Sequence, residues 1–428
     1  MSEIRLTRLD NGLAVVTDPM PHLQTAAVAV LARAGSRFEG KPEQGISHLL
    51  EHMVFKGTRR RDVRRIVEDI EDVGGDLDAA TDVETTSYHV RVLKDDVPLA
   101  LDILADMLQE SLFDPQELRR EQRVVVQEIR GYLDEPEEHA SDLLQEAAFP
   151  DQSIGHGILG TVETVTRIAP ADLRAYLGRR YRGPDMVVAA SGAVAHAAVV
   201  DLAARLFPNL SPEPAEPGEP AHFRGGERRD IRDLEQVQIV LGLEGRAYRD
   251  PDIYVAQVLA HVLGGGMSSR LFQELREKRG LCYSVQAYHA GFADSGLMGF
   301  AAATGEDTAA ELLRVLAEEI AAAAGSIDDA EVARAKAQLR AGLLMSLESP
   351  ASRAGRIGKQ MLAFGRILEP DDMLARLEAV TAERVRALLA ATLAGSAPAL
   401  AVVGPARQIE PIDAVAARLG ARRASRAA

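Results

Sequence analysis

A proline-rich interruption divides this chain of 428 residues into two stretches of similar plan. Residues 208–220, Pro-Asn-Leu-Ser-Pro-Glu-Pro-Ala-Glu-Pro-Gly-Glu-Pro, carry five prolines and run on into Arg224-Gly225-Gly226-Glu227. Proline has no N–H for a ladder and favours an extended backbone, so this is linker composition. The flanking stretches repeat one another. A β-branched apolar run opens each, Ala26–Val30 and Val237–Leu241, and a helical stretch follows, His48–Phe55 and Gln257–Leu263. Lys94-Asp95-Asp96 leads into a helix with Leu101, Ile103 and Leu104; 211 residues on, Gly305-Glu306-Asp307 leads into Leu312, Leu313 and Val315. Asp114-Pro115-Gln116-Glu117 reads as an N-cap, a first-turn proline and a capping glutamate, and Asp328-Asp329-Ala330-Glu331 repeats that start. Both helices stop before an acidic-proline break, at Pro136 and Pro350.

The pattern predicts an α+β fold of two homologous halves. Each is a mainly antiparallel mixed sheet packed with helices, joined by the Pro-rich linker. The expected boundaries are 1–207, linker 208–232, and 233–428. With 46% apolar and 26% charged residues, the texture is globular. Forty-nine basic against sixty-four acidic groups give −15, which argues against nucleic acid as a partner. One cysteine, Cys282, excludes an intrachain disulfide and a Cys-based zinc cage, and is expected to be a small core residue. No apolar run reaches the roughly 18–20 residues of a membrane span. The start, Met1-Ser2-Glu3-Ile4-Arg5, resembles neither a signal nor a transit peptide.

The chemistry concentrates in Gly45-Ile46-Ser47-His48-Leu49-Leu50-Glu51-His52-Met53-Val54-Phe55-Lys56-Gly57. Ile46, Leu49, Leu50, Met53 and Val54 follow the spacing of a buried helical face, and Gly57 is placed to end the helix. His48, Glu51 and His52 share the neighbouring stripe. Two histidines one turn apart can aim at one ion, with a glutamate beside it: HExxH run backwards, HxxEH. The bland alternative is a pair of surface histidines that happen to lie one turn apart. The second half has Gln257, Ala260 and His261 at the same turn, so the helix is kept and the ligand pattern is not.

A catalytic zinc usually takes three protein ligands. The helix capped by Asp114 carries Glu121 and Glu128, seven apart and on one face, with Val124, Val125 and Val126 between them. A carboxylate on a partly apolar stripe needs a metal or hydrogen bonds to offset burial. By composition alone, the same helix reads equally well as a solvated Arg/Glu face. Ala335 and Gly342 stand at the matching positions of the second half.

Taken together, these residues resemble the pitrilysin, insulin-degrading and mitochondrial processing peptidase family, the inverzincins. The family's spacings are met: Glu128 lies 76 residues after His52, and Glu121 seven before Glu128. The flanks Gly35-Ser36-Arg37 and Phe55-Lys56-Gly57-Thr58 are similar to the family's as well. The likeness spans the whole chain and is greatest to the short, processing-peptidase-like members. It implies zinc held by His48, His52 and Glu128, with Glu51 as general base and Glu121 orienting a ligand histidine. In Leu275-Arg276-Glu277-Lys278-Arg279-Gly280-Leu281-Cys282-Tyr283 it implies an Arg276/Tyr283 pair that binds the substrate backbone and stabilises the oxyanion. By themselves these would be a surface arginine and a strand tyrosine.

Gly74-Gly75-Asp76-Leu77-Asp78-Ala79-Ala80-Thr81 resembles the family's substrate-binding edge strand, placing Asp78 and Ala79 at the substrate. Asp78 stands where Asn is usual and lacks the amide donor. A two-glycine turn into an ordinary strand accounts for the segment equally well. Arg59-Arg60-Arg61 and Arg64-Arg65 read as a solvated charge run. The resemblance implies a zinc endopeptidase acting on peptides or unfolded polypeptide segments in a clamshell chamber. It also implies a homodimer whose Arg276 and Tyr283 act in trans. The alternatives are an inactive scaffold subunit of the same fold or one chain of an obligate heterodimer. Of the basic residues, forty-three are arginine, a composition expected of a GC-rich bacterial genome and hence a cytoplasmic location.

Overall fold

The computed structural model describes residues 3–422. Eleven strands form two sheets. The first holds β1 (Arg5–Arg8), β2 (Ala14–Pro19), β3 (Thr25–Ala32), β4 (Asp76–Thr81), β5 (Thr86–Leu93) and β6 (Met186–Gly192), in the order β1-β2-β6-β3-β5-β4. The second holds β7 (Gly226–Asp230), β8 (Val237–Glu244), β9 (Val285–Gly291), β10 (Gly296–Thr304) and β11 (Ala399–Val403), in the order β7-β11-β8-β10-β9. Apart from β1 the two orders coincide. β2 with β6, and β7 with β11, are the parallel pairs, and every other neighbour is antiparallel. The duplicated α+β plan read from the sequence is the plan of the fold.

The central strand of the first sheet shows why. β3 reads Thr-Ala-Ala-Val-Ala-Val-Leu-Ala and is buried from Ala26 onward, as a strand covered on both faces must be. Val28 and Val30 enter the larger core, against Ile46, Leu49, Leu50 and Met53 of helix Ile46–Val54 and Leu101 and Leu104 of helix Val97–Glu110. Ala29 and Leu31 point the other way, onto Ile357, Met361 and Leu362 of helix Pro350–Phe364. This helix comes close: a Cβ on Gly358 would meet Leu31 Cδ1 at 2.4 Å. Asp18 of β2, almost wholly buried, receives Arg353 Nη1 at 2.8 Å and lies 3.5 Å from Arg356 Nη2.

The continuous halves expected from the linker are therefore not the packing units. One unit comprises the chain up to Ile129, Gly157–Glu219 and Leu343–Leu368; the other comprises Arg130–His156, Pro220–Gly342 and the chain from Glu369. Helix Pro136–Ala148, the counterpart of helix Pro350–Phe364, packs on β7, β8 and β11 of the second unit. Each repeat lends this helix to the other's sheet. The linker is also shorter than 208–232. Gly226–Asp230 is strand β7, and residues 215–219 are bound to the first unit. There Asp185 Oδ2 accepts from the Ala215 N–H at 2.6 Å, while Arg180 and Arg37 donate to the Glu216 and Glu219 carbonyls at 2.6 and 2.7 Å. Both arginines are buried, and these carbonyls satisfy N–H donors that burial would otherwise leave costly. Among the described residues, no helix is long and apolar enough to cross a membrane.

Candidate metal centre

Helix Ile46–Val54 is fixed at both ends. Gly45 sits at φ +87°, and a Cβ there would meet the Leu159 carbonyl at 2.6 Å, so only glycine fits. The Glu39 carboxylate reaches the helix start and accepts the Gly45 and Ser47 N–H groups, both at 2.8 Å. Burial nevertheless pushes Glu39 up to about 7, outweighing the hydrogen bonds from Ser47 and Gly45. Ser47 Oγ meets Tyr176 Oη at 2.6 Å. At the other end Gly57, φ +103°, turns the chain into the Thr58–Arg61 turn. Here the expected solvated arginine run is corrected. Arg61 is mostly buried and pairs with Asp69, Asp102 and Asp106 at 2.7–3.0 Å, while Arg60 shares Asp102 and Asp106. Arg59 and Arg64 stay exposed.

The second contributor is helix Pro115–Leu133, started by Asp114, whose Oδ1 accepts the Gln116 and Glu117 N–H groups at 2.7 and 3.1 Å. Leu118, Val125 and Ile129 seat the helix in the core, which turns Glu121 and Glu128 toward the histidines. Glu128 Oε2 lies 3.8 Å from His48 Nε2 and 3.5 Å from His52 Nε2. Ligand atoms of these three residues all fall within 4.8 Å of one another. Among the described residues no other group of three His, Cys, Asp or Glu side chains is so placed. Glu121, 7% exposed, puts Oε2 3.1 Å from His52 Nδ1 and Oε1 3.0 Å from Lys56 Nζ.

These residues fit a metal ion. Glu128 Oε2 and His48 Nδ1 are buried without a hydrogen-bond partner, a costly condition for a carboxylate oxygen unless a cation completes it. Glu121 holds the proton of His52 on Nδ1, which presents the Nε2 lone pair inward. Burial, then His52, depresses His48 to about 4, so its imidazole is neutral and able to ligate near neutrality. Two imidazoles and one carboxylate suit zinc better than magnesium or calcium, which prefer oxygen ligands.

Glu51 borders the same site from the next turn. Thr81 Oγ1 of β4 donates to its Oε2. Burial raises the Glu51 carboxyl above the ordinary range, opposed by that hydrogen bond. Thr81 was not singled out by the sequence. Its one signal was a place at the end of the Asp78-Ala79-Ala80-Thr81 segment. β4 is the free edge of its sheet, with Leu77 and Ala79 packed against the core. Asp78 is exposed. Its Oδ1 accepts the Ala79 N–H at 2.8 Å, and its Oδ2 is 3.8 Å from His89 Nε2 on β5.

Arg276 and Tyr283 belong to the second unit. They are in contact with one another: the Arg276 guanidinium lies 4.9 Å from the centre of the Tyr283 ring, which is 79% exposed. Cys282 beside them is buried, which raises its thiol pKa. In the second repeat His261 Nε2 is hydrogen-bonded to Gln338 Oε1, so the one retained histidine is engaged by an amide.

Residues 14–162 match the family described as Insulinase (Peptidase family M16), and residues 167–339 match the Peptidase M16 inactive domain. An uncharacterized zinc protease of Rickettsia felis is 36% identical over 381 residues, covering 89% of this chain and 92% of that protein. The uncharacterized zinc protease YmxG of Bacillus subtilis is 36% identical, covering 92% and 97%. A protein of Arabidopsis thaliana with the name "Probable mitochondrial-processing peptidase subunit beta, mitochondrial" is 36% identical, covering 95% and 79%. The crystal structure of a peptidase M16 inactive domain from Pseudomonas fluorescens superposes with a TM-score of 0.88 over 96% of this chain and 99% of that one. At 21% identity it shows the fold alone.

Proposed function

Because the chain belongs to the M16 family of peptidases, we propose that it is a zinc-dependent endopeptidase cleaving peptides or unfolded polypeptide segments. The observation that carries this is the convergence of His48, His52 and Glu128 beside the buried Glu51. His48, His52 and Glu128 would hold the zinc, which when bound would supply acidification of a water and polarisation of the scissile carbonyl. The chain's own groups do the rest. Thr81 occupies Oε2 of Glu51, which leaves Oε1 to take a proton and return it to the leaving amine. A base with a raised pKa is better matched to that transfer than an ordinary carboxylate. The β4 edge offers backbone groups to which an extended substrate adds as a strand, with Asp78 and Ala79 in contact with it.

Arg276 and Tyr283 donate hydrogen bonds to the developing oxyanion, and in our reading they reach it from a second copy of the chain. The −15 charge favours basic peptides by steering. The arginine-rich composition favours a bacterial cytoplasmic setting. An inactive scaffold role is disfavoured, since all the metal ligands and Glu51 are present.

The test is zinc content and cleavage of a quenched basic peptide by wild type and Glu51→Gln, with sizing of the purified protein. Zinc in both and cleavage by wild type alone supports the reading. Metal-free protein, or equal cleavage by both, sinks it. A monomer that cleaves would remove the trans arrangement and leave the peptidase.

A further inference from the structure

Among the described residues Arg276 has no close carboxylate partner. Its nearest ion-pair contact is Glu277 on the adjacent residue, with Nε 3.9 Å from Oε1. What holds its side chain is aromatic on both counts. The guanidinium lies 4.7 Å from the centre of the Phe272 ring and 4.9 Å from that of Tyr283. Both distances fall within the roughly 6 Å reach of a cation–π contact. The two rings differ in character. Tyr283 is exposed, whereas Phe272 is 9% exposed and part of the second unit's core, packed with Leu271 and Leu275. Phe272 is thus the ring anchored in the core, and Tyr283 is the one open to solvent.

The backbone supports this arrangement. Phe272–Lys278 is a single π-helical segment, a rare form that recurs at functional sites. Its end is locked, with Leu281 N–H donating to the Leu275 carbonyl at 2.8 Å and Gly280 in the left-handed region at φ +63°. On the same segment Glu274 takes Lys278 and Arg279, so the neighbouring cations are neutralised and Arg276 is left over.

We infer that Phe272 is a positioning residue: it holds the Arg276 guanidinium in its stack with Tyr283. Aromatic rings accept no conventional hydrogen bond, so these contacts leave the N–H groups of Arg276 to donate to a carbonyl oxygen or oxyanion. An arginine held by a carboxylate would have those donors spent. The assignment of Arg276 to catalysis rests on the peptidase reading; the stack does not.

The experiment compares wild type with Phe272→Leu, Phe272→Tyr and Arg276→Lys, each checked for an unchanged unfolding profile. Arginine Nε–Hε correlations of isotope-labelled protein report the stack, and Arg276→Lys identifies the Arg276 signal by its loss. Ring currents shift that signal upfield in wild type. We expect Phe272→Leu to return it toward the other arginines and Phe272→Tyr to leave it in place. In peptide cleavage we expect Phe272→Leu to lower kcat about tenfold with little change in KM, and Phe272→Tyr to restore it. An Arg276 signal unmoved in Phe272→Leu overturns the proposal. So does a moved signal with unchanged kcat in an enzyme that Arg276→Lys impairs. A wild type that cleaves nothing sinks the peptidase reading instead, and the Arg276 signal still decides the stack.

Discussion

Glu121 Oε2 stands 3.1 Å from His52 Nδ1, and Lys56 Nζ stands 3.0 Å from the other oxygen of the same carboxylate. The lysine pins the Glu121 carboxylate in place, and the glutamate holds the His52 N–H on the side away from the metal site. Glu121→Ala frees both tautomers of His52 and should weaken zinc binding by roughly 10- to 100-fold. Competition against a chelator measures this directly. Unchanged affinity would mean that the His52 ring is fixed by packing alone.

Glu51→Gln should retain zinc and lower kcat by about 10²- to 10⁴-fold, the usual worth of a positioned general base. Single-turnover cleavage with metal analysis of the same sample separates the two quantities. Loss of zinc with loss of activity would instead make Glu51 part of the binding set.

Thr81→Val tests the hydrogen bond to Glu51 through pH. Burial raises the Glu51 pKa and the Thr81 hydroxyl lowers it, so removing the hydroxyl raises it further. The base must be ionised to work, and the acidic limb of kcat/KM against pH should therefore move to higher pH. A limb that stays in place would assign it to another group.

Glu39 links the helix start to stability. Its folded-state carboxyl sits at about 7, above the ordinary 4.5. Between those values the folded protein holds a proton that the unfolded chain has lost. The stabilisation is full below about pH 4.5 and is lost as pH rises through about 7. Urea midpoints from pH 5 to 8 should fall with a slope that Glu39→Gln removes.

Ile357→Ala probes the lent helix. Ile357 is fully buried against β3 and β6, and truncation should cost about 2–4 kcal/mol. The loss should appear as a lower urea midpoint. A cost under about 0.5 kcal/mol, the size of an ordinary surface change, would show that the helix is peripheral.

Much of this was open to reading in the residues themselves. The duplication was visible because capping and apolar periodicity are local signals. The site was visible because HxxEH and the Glu121/Glu128 spacing each lie within one helix. What stayed hidden depends on partners distant in sequence. Periodicity shows that helix Pro350–Phe364 has an apolar face, but not that the face meets β3 rather than β8. Arg61 looked solvated because Asp102 and Asp106 lie more than forty residues away and only the fold brings them under it. Phe272 carried no distinguishing signal, since a place four residues before Arg276 permits the ring contact without requiring it.

The exchange of helices Pro136–Ala148 and Pro350–Phe364 bears on ancestry. A single repeat, translated alone, would have had a bare sheet face and a helix with nowhere to lie. Two copies trading that helix would have cured both defects at once. With both copies on one chain the exchange needs no second molecule, and the repeats are at liberty to differ elsewhere: where one has His48, His52 and Glu128, the other has Gln257, His261 and Gly342.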